Sequence, residues 1–106
     1  MVSDVTVLEL AKELVSENPP KLLDVRETFE RQISCLDDDL HIPMGSIPSS
    51  LEKISKDEPI VVYCRSGSRS SRVVEYLRSL GYSKARNLVG GINAWASEVD
   101  ASLPTY

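Results

Sequence analysis

The sequence predicts an α/β fold with a mostly parallel central sheet and helices on both of its faces. Short runs of β-branched residues alternate along the chain with segments whose apolar residues recur at helical spacing. The clearest unit starts with the apolar run Ile60–Tyr63, passes through a polar loop and continues as a helical pattern that stops at Gly81. The chain has 106 residues, of which 42% are hydrophobic, so we predict a single domain over residues 1–106.

The segments before this unit contain further strand and helix patterns. In chain order we predict a first strand at 1–7, a helix at 8–15, a strand at 22–25, a helix at 27–32, a strand at 41–43 and a helix at 46–54. The first helix ends before a proline pair at 19–20, and its apolar face would contain Leu10, Leu14 and Val15. The last of these helices rests on apolar residues at i, i+4 and i+7 from position 47.

The segments after Gly81 contain one more strand and one more helix. The strand is predicted at 85–89 and the helix at 92–99, with a glycine pair between them that gives the backbone freedom to turn. Trp95 is expected in the core or in a wall of the site rather than as a stacking platform, because no aromatic partner lies near it in sequence. The tail 102–106 either docks on the domain or stays loose.

The polar loop after Ile60–Tyr63 carries the functional prediction. It reads C-R-S-G-S-R over 64–69, and no hydrophobic side chain occurs from Arg65 to Arg72. A loop that curls from a strand into a helix turns its backbone N–H groups inward and, together with the positive end of the helix dipole, binds anions. These groups and the nearby arginines favour thiolate over thiol, so we predict that Cys64 is reactive near neutral pH.

The predicted site therefore combines one nucleophile with an anion-binding loop. The nucleophile is Cys64, and the substrate-binding loop consists of Arg65, Ser66, Gly67, Ser68 and Arg69. Gly67 would allow a backbone conformation that a Cβ disfavours. The alternative is a structural cysteine packed at the end of a strand beside a solvated basic turn. The glycine and serine content of the loop, its arginines and the helix that follows favour the functional interpretation.

The residues of this loop resemble a known family. CRSGSRS after a hydrophobic strand is similar to the active-site loop of the rhodanese sulfurtransferases. Three further segments resemble that family in order and spacing: LLDVRE at 22–27, HIPMGSIP at 41–48 and NLVGGINAW at 87–95. The central segment departs from the family pattern, because Met44 precedes Gly45 and Ser46 replaces the usual alanine. This variant resembles bacterial single-domain rhodaneses and rhodanese domains fused to adenylating enzymes of sulfur-carrier pathways.

The resemblance implies a five-stranded rhodanese sheet and sulfur transfer through a persulfide on Cys64. The donor would be thiosulfate or another small anionic sulfur compound, and the acceptor a thiol, cyanide or a sulfur-carrier protein. No metal or organic cofactor would be needed. Asp24 and Arg26 would brace loops at the end of the sheet rather than act in catalysis, and a buried Asp24 would need a partner. His41, the only histidine, would form a structural hydrogen bond rather than act as a general base.

The distribution of charge points to a small anion rather than a nucleic acid. The chain carries a net charge of −4, yet the segment 60–90 holds six Arg or Lys against one Glu. Asp37-Asp38-Asp39 is predicted as a solvated turn rather than a metal site, because no calcium-loop spacing follows it. We see no membrane-spanning run and no secretory signal, and we expect a cytoplasmic protein with Cys35 and Cys64 reduced.

Two other functions use the same cysteine. Cysteine phosphatases and arsenate reductases also cradle an anion, but five residues separate the cysteine and arginine of the phosphatases. Four residues separate Cys64 from Arg69, and the shorter loop suits a single sulfur better than a phosphoryl group. A non-catalytic module that carries persulfide to a partner enzyme would need the same Cys64, so the sequence leaves that alternative open.

Overall fold

The centre of the fold is a parallel sheet of four strands. The computed structural model describes residues 3–106. The strands are β1 (Lys21–Asp24), β2 (Leu40–His41), β3 (Ile60–Tyr63) and β4 (Ala85–Asn87). Their order is β2-β1-β3-β4, and every neighbouring pair is parallel. Because parallel strands end at the same edge, the segments that follow β1, β3 and β4 meet there, where ligands of such sheets bind.

The described residues form four α-helices, three of which cover the two faces of the sheet. They are α1 (Val7–Leu14), α2 (Thr28–Arg31), α3 (Ser68–Ser79) and α4 (Gly91–Glu98). Leu23 and Val62 share a core cluster with α3, whereas Leu22 and Val61 share the opposite cluster with α1 and α4. This alternation follows from the pleat, since successive side chains of a strand point to opposite faces. The predicted α/β fold with helices on both faces is thereby confirmed.

Over residues 3–106 the sheet has one strand fewer than expected, because the first predicted strand does not form. Instead of a strand over 1–7, Val5 makes a single parallel bridge to Leu88, and Val7 already begins α1. Thr6 ends the extended segment because its hydroxyl accepts the backbone N–H of Glu9, while the Glu9 carboxylate accepts that of Thr6. The implied fifth strand is therefore reduced to one bridge. The first two residues of that prediction lie outside the described part of the chain.

The predicted helix at 46–54 is wrong. The structure has two short 3-10 turns there, Met44–Ser46 and Leu51–Lys53. Backbone hydrogen bonds in this segment run three residues back, as from Ile47 to Met44 and from Ile54 to Leu51, and Pro48 has no N–H with which the first turn could continue as an α-helix. The apolar spacing still marked buried residues, because Ile47 and Ile54 lie in the core.

The ends of the other elements lie close to their predicted positions. The predicted apolar face of the first helix extended too far, because Val15 caps α1 and is 86% exposed. Gly81 follows α3 with a φ of +97°, as its predicted role as a helix stop requires. Among residues 3–106 no helix combines the length and the apolar character that crossing a membrane would take.

Candidate active site

The loop between β3 and α3, residues 64–67, forms a cradle around the sulfur of Cys64. Cys64 directly follows β3 and is 1% exposed. Gly67 is the N-cap of α3 with a φ of +108°, a region that side chains with a Cβ rarely adopt. A Cβ at Gly67 would also lie 3.3 Å from the backbone nitrogen of Gly90. The predicted need for glycine at this position is thus confirmed by the backbone geometry.

Backbone N–H groups of the cradle point at the sulfur. The amide of Gly67 donates to Cys64 Sγ at 3.1 Å and that of Ser70 at 3.4 Å. Burial alone raises the pKa of the Cys64 thiol. Hydrogen bonds from the Ser70 hydroxyl and from the backbone amides of Ser70, Gly67 and Ser66 outweigh burial and lower its pKa below the ordinary value. The arrangement therefore stabilises a thiolate inside the protein.

A buried serine and asparagine extend this network. Ser70 Oγ lies 3.2 Å from Cys64 Sγ and donates to Asn87 Oδ1 at 2.5 Å. The Nδ2 group of Asn87 donates to the carbonyl of Gly67 at 3.3 Å, which assigns Oδ1 to the serine side. The single hydroxyl proton of Ser70 thus has two acceptors, the amide oxygen and the thiolate. Sequence reasoning missed both residues, although Ser70 directly follows the loop and Asn87 opens the segment NLVGGINAW.

The structure places the two arginines of the loop in different environments. Arg69 is held by the carboxylate of Glu30, with Nη1–Oε1 and Nη2–Oε2 distances of 2.6 and 2.8 Å. This contact lowers the pKa of Glu30 to about 2, although burial of the carboxylate opposes the shift. Arg65 is exposed, and its guanidinium carbon lies 5.1 Å from the ring centroid of Tyr106. The loop thus presents one arginine to solvent and keeps the other in an ion pair.

The tail docks beside this loop. The Tyr106 hydroxyl donates to Glu30 Oε2 at 2.6 Å and accepts from Arg26 Nη1 at 2.8 Å. Asn93 of α4 bonds both the backbone N–H and the backbone oxygen of Tyr106. Burial and the Glu30 carboxylate raise the pKa of Tyr106. No sequence pattern predicts this contact, because a single tyrosine in a tail belongs to no helical or strand periodicity.

A buried ion pair braces the segment that carries Glu30. Asp24 and Arg26 are both fully buried, and Nε and Nη2 of Arg26 each lie 2.9 Å from an oxygen of Asp24. Arg31 Nη1 adds a second cation to Asp24 at 2.9 Å. The predicted partner for Asp24 is therefore present. His41 Nε2 lies 2.8 Å from the backbone oxygen of Arg26, so this nitrogen carries the proton and the histidine makes the predicted structural hydrogen bond.

The acidic run and the second cysteine lie apart from the cradle. Asp37 and Asp38 are exposed, as a solvated turn requires, but Asp39 is not solvated. Asp39 accepts from Arg31 at 2.7 Å and from the Tyr63 hydroxyl at 2.5 Å, so the prediction is wrong for this residue. Within the described range 3–106, no three His, Cys, Asp or Glu side chains are grouped so that they could hold a metal ion.

Cys35 is half-buried and unpaired with Cys64. It lines a cleft with Leu36, which belongs to the core cluster of the α1 and α4 face, and with Trp95, which packs against that cluster. Trp95 is partly buried and packs against the core, close to one of the two locations predicted for it.

The chain is similar to known proteins over most of its length. The family model described as Rhodanese-like domain matches residues 6–98. A protein of Allochromatium vinosum named Sulfurtransferase is 38% identical over 96 residues, covering 91% of this chain and 90% of that protein. The Adenylyltransferase and sulfurtransferase MOCS3 of Arabidopsis thaliana is 33% identical over 80% of this chain, which corresponds to 22% of that protein. A solved rhodanese-like domain protein from Staphylococcus aureus is 35% identical with a TM-score of 0.85, covering 100% of this chain and 99% of that one.

Proposed function

The chain belongs to the family of rhodanese-like domains, and from this premise we propose that it is a sulfurtransferase whose nucleophile is Cys64. One observation carries the proposal. Cys64 is buried, and yet the hydrogen bonds of its own loop lower its pKa, which prepares a thiolate for attack. A cysteine with a purely structural role would gain nothing from two backbone amides aimed at its sulfur.

The proposed reaction has two steps. The Cys64 thiolate attacks the outer sulfur of thiosulfate; a new S–S bond forms, the S–S bond of the donor breaks, and sulfite leaves with the electron pair. Cyanide, a small thiolate or a thiolate of a sulfur-carrier protein then attacks the outer sulfur of the Cys64 persulfide; a bond to that sulfur forms, the S–S bond of the persulfide breaks, and the Cys64 thiolate leaves. Each step moves a sulfane sulfur from one nucleophile to another without net oxidation or reduction. The proposed reaction therefore uses no redox cofactor.

The loop residues would stabilise the species along this path. The amides that bond the thiolate remain within reach of the inner sulfur of a persulfide. Arg65 would contact the anionic end of the donor, since its guanidinium is exposed at the cradle. Because the reaction needs a free thiolate, we also propose that the protein works in the cytoplasm, where thiols stay reduced.

The acceptor distinguishes a catalytic sulfurtransferase from the alternative, a module that carries persulfide to a partner enzyme. One relative is named for both an adenylyltransferase and a sulfurtransferase activity, and this chain corresponds to a 22% portion of it. A protein acceptor is therefore part of the proposal, beside the small thiols and cyanide. A catalytic sulfurtransferase turns over thiosulfate with cyanide or a thiol repeatedly, whereas a carrier module takes up one sulfur and stops without its partner.

Intact-protein mass spectrometry after thiosulfate treatment tests the proposal. The wild type should gain the mass of one sulfur atom on Cys64, and Cys64→Ser should gain none. Cys35→Ser is the matched control and should gain the same adduct, because Cys35 lies in a cleft on the α1 and α4 face. The wild type should not hydrolyse aryl phosphates. Aryl phosphate turnover without a sulfur adduct would replace the sulfurtransferase proposal with the phosphatase alternative.

A further inference from the structure

The charge of the cradle is set by a carboxylate from another part of the chain. Glu30 belongs to α2, thirty-nine residues before Arg69, and its side chain is 4% exposed. Its two oxygens face both terminal nitrogens of Arg69. The Tyr106 hydroxyl at 2.6 Å and the backbone N–H of Glu27 at 2.9 Å hold the same carboxylate from other sides. Glu30 is thus fixed in place, because moving its carboxylate away from Arg69 would break several charge-assisted hydrogen bonds.

This ion pair removes one positive charge from the donor's environment. Arg69 interacts electrostatically with Cys64, so its charge reaches the sulfur at which a donor would react. With Glu30 in contact, the pair is neutral as a whole. Arg65 then remains as the loop arginine with no carboxylate contact among the described residues, exposed beside the ring of Tyr106. A dianion entering this site therefore meets less positive charge than it would if Arg69 had no carboxylate partner.

We propose that Glu30 is a specificity-determining residue that makes the site favour sulfur donors with a single negative charge over dianionic thiosulfate. The donor class is that of monoanionic sulfane sulfur compounds, such as organic thiosulfonates and persulfides. Glu30 acts through Arg69 and is therefore a positioning residue rather than a catalytic one. The inference rests on the proposed sulfurtransferase function and specifies its donor.

Thiosulfonates isolate the effect of charge because they differ from thiosulfate at one substituent. In methanethiosulfonate a methyl group replaces one anionic oxygen, and the transferable outer sulfur is the same. The Cys64 thiolate attacks that sulfur, the new S–S bond forms, the donor's S–S bond breaks, and methanesulfinate leaves with the electron pair. The step is balanced without any oxidant or reductant, as it is for thiosulfate.

The test compares kcat/KM for thiosulfate and for methanethiosulfonate, with cyanide as the acceptor. Glu30→Gln frees Arg69 and should raise the ratio of thiosulfate to methanethiosulfonate efficiency roughly fivefold or more. Arg69→Gln leaves the carboxylate unopposed and should lower the ratio. The double variant restores a neutral pair and should return the ratio to within about twofold of the wild type. Glu52→Gln, an exposed carboxylate on the second 3-10 turn, is the matched control and should leave the ratio unchanged.

The selectivity ratio separates this role from a structural one. General damage to the site would lower both efficiencies and leave their ratio unchanged. An unchanged ratio in Glu30→Gln, or in Arg69→Gln should the first variant fail to fold, overturns the inference while a persulfide adduct on wild-type Cys64 still supports the proposed function. Absence of that adduct with both donors overturns the proposed function and this inference together.

Discussion

Removal of the Ser70 hydroxyl should raise the pKa of Cys64 by a predictable amount. In the thiol state the serine proton is donated to Asn87 Oδ1, 2.5 Å away. In the thiolate state it can turn to the sulfur, 3.2 Å away, and give up the bond to the amide. The gain is therefore the difference between a hydrogen bond to a charged acceptor and one to a neutral acceptor, which is about 1 to 1.5 kcal/mol. This corresponds to about one pKa unit.

Ser70→Ala keeps the backbone amides of Gly67 and Ser70, so part of the thiolate stabilisation should remain. The rate of alkylation by iodoacetamide, measured against pH in a Cys35→Ser background, reports the thiolate fraction of Cys64. Below both pKa values the variant should react about tenfold more slowly, and above them the two rates should converge. Ser71→Ala is the control, because Ser71 is the exposed neighbour on the same helix.

Two results would refute this reasoning. Equal pKa values in Ser70→Ala and in its parent would mean that the hydroxyl stays on Asn87 in both protonation states. A slower rate at every pH, including high pH, would indicate that the substitution blocks access to the sulfur rather than changing its ionisation.

Three further predictions concern stability. The pKa of Glu30 falls from near 4.5 to about 2 on folding, so its ionisation stabilises the fold above pH 4.5 by up to about 3 kcal/mol. This stabilisation is lost as the pH falls through 2. When the free energy of unfolding is measured against pH in acid, Glu30→Gln should flatten this dependence. Gly67→Ala should lower the free energy of unfolding by about 1–3 kcal/mol in denaturant melts, because Gly67 has a φ of +108°. Gly45→Ala is the control and should leave the free energy of unfolding unchanged, because no atom lies within 4 Å of the added Cβ. Equal losses in the two variants would contradict the strain argument. Arg26→Ala should cost about 3–5 kcal/mol in the same melts because it removes one partner of a buried ion pair, and a loss below about 1 kcal/mol would show that Asp24 is compensated in another way.

The sequence was sufficient for the parts of the site that are local in the chain. Strand β3 lies at its predicted residues, and the loop after it turns into α3 with a left-handed glycine at its start. Both follow from signals within a few residues of one another, namely an apolar run, a Gly and Ser loop and helical spacing. The same reasoning failed at 46–54, where apolar spacing marked burial correctly but the backbone forms two short 3-10 turns on either side of a proline.

What the sequence by itself determined is therefore the family, the alternation of strands and helices, and a cysteine at the base of the loop between β3 and α3. Only the tertiary structure decided what surrounds that cysteine. Glu30 and Tyr106 are seventy-six residues apart, and Ser70 and Asn87 are seventeen apart, yet each pair shares a hydrogen bond at the site. Such partners carry no local pattern, because they meet only after helices and tail have docked on the sheet. The charge of Arg69 was readable from the chain, but its neutralisation by Glu30 depends on that docking.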